Sequence, residues 1–123
     1  MRPATDEGAV VRVFLNEDDR YRGARLYEAI VELARKMDLA GAIVFRGVEG
    51  FGASGVVHSS RMLRPTEDLP MMIEVADTRD RVGPFVDKIR GVLDEVAAGG
   101  YITVEAAQVI RSRPRPSVVE LSR

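Results

Sequence analysis

Residues 47–55 read GVEGFGASG, with four glycines in nine positions. Glycine loses more backbone freedom on ordering than any other residue and has no side chain to pack, so such a run serves poorly as a helix or strand interior. From there to Pro65 neither a period of two nor one of 3.6 can be found. The chain is expected to carry a long mobile loop of about 15 to 18 residues, a length that is uncommon inside compact domains and usually functional.

The flanking segments are regular. Residues 9–15 (AVVRVFL) follow Gly8 and read as a strand, with Val11, Val13 and Leu15 on one face and Val10, Arg12 and Phe14 on the other. A polar connection, residues 16–22, leads through Gly23 into a helix ending near Asp38. Leu26, Tyr27, Ile30, Leu33, Ala34 and Met37 form one buried stripe of that helix. Opposite them, Glu32 precedes Arg35 and Lys36 by one helical turn, as on an exposed face. Residues 42–48 read as a second strand and 69–76 as a third. A second helix follows to about residue 98, with Val82, Phe85, Val86, Ile89, Leu93 and Val96 on its stripe. Thr78 or Asp80 can cap it, Gly83 and Pro84 fall in its first turns, and Gly99-Gly100 ends it. Residues 101–104 form a short fourth strand and 108–112 another extended piece.

Strand, helix, strand, strand, helix, strand, joined by right-handed crossovers, gives a ferredoxin-like α+β plait: a four-stranded antiparallel sheet with two helices on one face. The domain spans 9–112, between a flexible N-terminus at 1–8 and a disordered tail at 113–123. The uncovered sheet face would carry Val10, Phe14, Val44 and Met72, more apolar surface than a free monomer exposes, so oligomerisation is expected.

The composition removes several classes of function. With 18 Lys and Arg against 19 Asp and Glu, no global basic field draws the chain to nucleic acid. The absence of cysteine rules out disulfides, thiolate zinc sites and cysteine nucleophiles. No apolar run approaches the roughly 20 residues of a membrane span, and residues 1–7 lack a signal peptide's apolar segment, so a cytoplasmic protein is expected. Ser54, Ser59 and Ser60 share one histidine, His58, inside the loop, and no paired carboxylates stand out, so no catalytic constellation can be named. A lone histidine without clustered acids is a poor metal ligand.

Several stretches resemble a known family. They are Gly23-Ala24-Arg25-Leu26-Tyr27-Glu28-Ala29-Ile30, then Leu39-Ala40-Gly41-Ala42, then Arg46-Gly47-Val48-Glu49-Gly50-Phe51-Gly52-Ala53-Ser54, and then Glu67-Asp68-Leu69-Pro70. Together they resemble the domain of unknown function 190 family of PII-like proteins, over about 10–111. The resemblance implies a homotrimer with ligand clefts between subunits, and a loop like the T-loop that docks PII proteins on their partners. It further implies an adenine nucleotide held at the loop base and at a glycine-containing turn after the second helix. On this chain those positions are Arg46, Gly47, Gly50, Phe51 and Gly52, then Gly99 and Gly100. Val109-Ile110-Arg111-Ser112-Arg113 resembles the stretch whose arginines contact phosphates. Where PII proteins carry a lysine after the second turn, Tyr101 stands, and residues 51–64 lack the tyrosine modified in PII loops.

Read from the residues alone, the glycine run either cradles an anion with bare backbone N–H groups or is a flexible connection. Arg111 and Arg113 alternate toward one side of an extended segment, suited to one phosphate, or else form a charged domain end. Arg61 and Arg64, with Ser54 and His58, lie where a partner would be met or are solvated loop residues. Glu17, Asp18 and Asp19 read as a solvated turn. The function expected is a ligand-sensing regulator of a transporter, channel or metabolic enzyme. The alternative is a CutA-like trimeric scaffold or divalent-metal responder that binds no nucleotide.

Overall fold

The computed structural model describes residues 6–52, 54–61, 68–96 and 99–110. Its elements are β1 (Asp6–Asn16), β2 (Arg20–Tyr21), β3 (Ala24–Arg25), α1 (Leu26–Lys36), β4 (Ala42–Arg46), β5 (Glu49–Gly50), β6 (His58–Ser59), β7 (Pro70–Thr78), α2 (Arg79–Glu95) and β8 (Tyr101–Val109). The main sheet is antiparallel with order β4-β7-β1-β8. This is the ferredoxin-like plait: β1-α1-β4 and β7-α2-β8 are its two crossover units.

Both helices cover one face. Val11, Val13, Leu15, Ile73 and Val75 from the central strands meet Leu26, Ile30 and Ala34 of α1 and Val82, Phe85 and Ile89 of α2, all buried. The stripes read from helical spacing are the stripes that pack. A Schellman turn closes α1: Asp38, at φ 59°, donates its N–H to the Arg35 carbonyl and Leu39 donates to that of Ala34. Leu39 is then buried over Ala34. Asp77 fixes the chain just beyond this turn. It is 2 % exposed, and its carboxylate accepts the Ala40 N–H at 2.8 Å and the Thr78 N–H at 2.7 Å. Thr78 occupies the N-cap of α2 without capping it through its side chain; its hydroxyl bonds the Asp80 carboxyl instead and holds it below the usual carboxylate range.

The other sheet face is open and follows from the register in cross-strand rows. Phe45, Met72, Phe14 and Tyr101 form one row; Ile43, Glu74, Arg12 and Thr103 form the next. The Phe14 and Tyr101 rings stack at 4.6 Å with 15° between their planes. Ile43, Phe45 and Tyr101 are exposed. Near the centre Arg12 bonds Glu74 at 3.1 Å and also bonds Glu105.

Four expectations change. β1 starts at Asp6, inside the expected flexible N-terminus. Val44 faces the helices opposite Ile73, so the apolar contribution of β4 to the open face is Ile43 and Phe45. The two expected pieces after α2 are one strand, β8, because nine successive pairs with β1 hold residues 105–107 extended despite their Glu-Ala-Ala sequence. The 47–69 connection is also less irregular than its sequence implied. β5 and β6 pair Glu49 with Ser59 and Gly50 with His58, and the Ser60 N–H continues the ladder to the Val48 carbonyl at 2.8 Å. Residues 111–123, the expected tail among them, lie outside the described residues.

Candidate functional site

At the loop end of the sheet, the turn after β1 gathers both ends of the 47–69 connection. Glu17 donates its N–H to the Leu69 carbonyl and Asp18 donates its N–H to the Asp68 carboxylate, both at 2.8 Å. The Glu17 carboxylate accepts from Arg46, the last residue of β4, at 2.6 Å. From the start of α1, Arg25 donates to the Glu17 carbonyl at 3.0 Å and to Asp18 at 3.3 Å. Two residues of one turn, Glu17 and Asp18, thus hold the entrance and exit of the loop, and Arg25 braces them.

Beside this clasp a cleft of about 60 Å³ opens at the rim of the uncovered sheet face. Phe14, Leu15, Asn16 and Asp19 supply the β1 side. Pro70 and Met71 come from β7, Phe51 and Gly52 from the loop, and Gly99 and Tyr101 from the turn after α2. Phe51 is 70 % exposed, a large apolar ring without cover. Asp19 is half-buried; it accepts the Asn16 N–H at 2.9 Å through one carboxylate oxygen. Burial pushes its carboxyl up, the Asn16 N–H pulls it back in part, and the nearby Asp68 and Asp18 push it further up. None of the residues lining the cleft carries a positive charge.

The residues singled out from sequence therefore divide. Phe51, Gly52 and Gly99 converge on the cleft. Arg46 does not line it and is held by Glu17. Gly47 and Gly50 lie against Pro70: the Gly47 N–H donates to the Pro70 carbonyl at 2.7 Å, and a β-carbon there would stand 2.8 Å from the proline ring. Gly100 abuts Leu93 and the Phe14 carbonyl, 3.1 Å from where its own β-carbon would be. Ser54 accepts the Val56 N–H at 3.2 Å within the loop, His58 is half-buried on β6, and Arg61 is exposed. Arg64, Arg111 and Arg113 lie outside the described residues. Phe14, Leu15, Asn16, Asp19, Pro70, Met71 and Tyr101 are the lining residues that sequence reasoning did not assign to a site. Tyr101 could have been found from its place directly after Gly99-Gly100; Asp19 sits in an acidic run that does not mark which member turns inward.

Among the described residues no group of three or more His, Cys, Asp or Glu is arranged to hold a metal ion. Likewise, no described helix is long and apolar enough to cross a membrane.

The plait has the fold of solved PII-like proteins. It superimposes on CPII, a nitrogen regulatory PII-like protein from Thiomonas intermedia K12 whose structure was solved with ADP, AMP and bicarbonate, with a TM-score of 0.67. The two share 19% identity over 87% of this chain and 92% of that one. The chain belongs to the DUF190 family, described as an uncharacterized ACR, whose profile matches residues 8–109. A UPF0166 protein of Aquifex aeolicus (strain VF5) is 29% identical over 82% of this chain and 91% of its own length. One from Methanocaldococcus jannaschii is 26% identical over 68% of this chain and 77% of its own.

Proposed function

We propose that this chain is a PII-like regulatory protein that binds an adenine nucleotide at clefts between copies and controls a partner through its 47–69 loop, without catalysing a reaction. One observation carries this reading: loop residues Phe51 and Gly52 meet Gly99 and Tyr101, from the turn after α2, at a single cleft. A ligand seated there touches the loop directly, so its binding energy can favour one loop arrangement over another, which is what a ligand-operated switch needs. The adenine nucleotides of the CPII structure support that choice of ligand.

The cleft volume, about 60 Å³, is the room of roughly two water molecules. A nucleotide needs further walls. The exposed row of Phe45, Met72, Phe14 and Tyr101 ends at the cleft, so a second copy laid over that row brings such a wall. We read the working form as a cytoplasmic homotrimer, with a transporter, channel or metabolic enzyme as partner by analogy of fold.

Light scattering and calorimetric titration with ADP, AMP and ATP test this reading. It expects a mass of three chains and saturable binding of at least one nucleotide, weakened by Phe51→Ala. A mass of one chain, or a trimer that gives no heat with any of the three, would refute it.

A further inference from the structure

We infer that Asp19 reads the amino edge of the bound base, making the cleft selective for a purine that carries an exocyclic amino group over one that carries a carbonyl there. The inference rests on the nucleotide-binding reading above and adds which end of the ligand enters and what recognises it.

Charge decides the end. A phosphate in this cleft would face the Asp19 carboxylate with no cation in the lining to offset the repulsion. The neutral end of the ligand avoids that conflict. Phe51 offers a mostly exposed ring face, and Phe14 and Tyr101 line the same cleft, a setting suited to a planar aromatic ring. The small volume admits the edge of such a ring, with the sugar and phosphates left outside.

Hydrogen bonding decides the edge. An ionised carboxylate only accepts. One Asp19 oxygen takes the Asn16 N–H, and the other has no donor among the described residues. A base edge bearing an amino group gives that oxygen its donor. An edge bearing a carbonyl sets two acceptors against each other. Asp19 itself is well placed to stay fixed, since its carbonyl accepts the Leu26 N–H at 2.8 Å and ties it to the start of α1.

Calorimetric titration of the full chain with ADP, IDP and N6,N6-dimethyl-ADP tests the assignment. The unaltered protein is expected to favour ADP over both analogues by about tenfold or more, the worth of a hydrogen bond to a charged group. In Asp19→Asn the amide oxygen keeps the Asn16 contact while an NH2 group faces the cleft, so the ratio of ADP to IDP affinity narrows or inverts. An unchanged ratio in that variant overturns the role of Asp19. So does equal binding of ADP and its dimethylated form by the unaltered protein, a result independent of whether the variant folds. Silence toward all three compounds would instead overturn the nucleotide-binding reading itself.

Discussion

Arg46 and Glu17 meet at 2.6 Å although 29 residues separate them, and their ion pair joins the last residue of β4 to the turn that follows β1. Arg46 is exposed, whereas the Glu17 side chain is only 17 % exposed. An ion pair at a surface is worth about 0–1 kcal/mol. Its effect should therefore be local. Arg46→Ala or Glu17→Gln is expected to quicken amide exchange at residues 47–50 severalfold while lowering overall stability by about 1 kcal/mol or less. Hydrogen exchange read by mass spectrometry, beside a urea melt, checks both halves; unchanged exchange in that segment would contradict the clasp.

Asp77 is a stronger anchor. Its carboxylate satisfies two backbone donors, Ala40 and Thr78, from within the core. Asp77→Ala strands both, at about 1–3 kcal/mol for each buried donor left without a partner. Asp77→Asn retains one acceptor and should fall between the two. Urea denaturation of the three proteins is expected to rank them in that order.

Gly8 lies where β1 runs close to both neighbours. A β-carbon there would fall 2.6 Å from the Asp77 carbonyl oxygen and 2.5 Å from a Val109 methyl. The backbone atom cannot step aside without disturbing β7. Gly8→Ala should cost about 1–3 kcal/mol, in the range of other overpacking changes. By contrast Gly41→Ala, with open space around the added methyl, should leave the urea midpoint nearly unmoved.

Asp19 gives a pH signature. Burial holds its folded pKa above the unfolded one, so the ionised form weakens the fold, and its contribution is most favourable below the ordinary carboxylate range. Stability from this group is lost as pH rises through the folded pKa. Asp19→Asn is thus expected to be more stable than the unaltered chain at pH 7, with the gap closing as pH falls below the usual aspartate value. Melting temperatures from pH 3 to 8 measure it; a gap that widens toward acid would have the wrong sign.

The helices were legible because a period of 3.6 sets the buried stripe without help from distant residues: Leu26, Ile30 and Ala34, or Val82, Phe85 and Ile89, face inward wherever the helix packs. Strand β4 was not so legible. Its residues Ala42, Ile43, Val44 and Phe45 are all apolar, so alternation cannot choose a face, and only pairing of Val44 with Ile73 fixes the phase. Half of the cleft is hidden for a similar reason. Phe51, Gly52 and Gly99 stand out as loop and turn residues, but Asp19 enters only because the turn after β1 sets it against the cleft, while Asp18 lies outside it and pairs with Arg25. Arg46 looked available for an anion, and nothing local in its sequence reveals that Glu17 already holds it.

Arg12, fixed between Glu74 and Glu105 beside a row of aromatic and aliphatic side chains, has a consequence for whatever comes to lie on that face. A purely oily surface settling there would have to strip water from three charges that together sum to one negative, and nothing in it could replace that water. A surface with a donor at the matching point would not incur that penalty. The patch is therefore sticky yet selective, discouraging casual clumping while leaving one well-aligned mode of contact open.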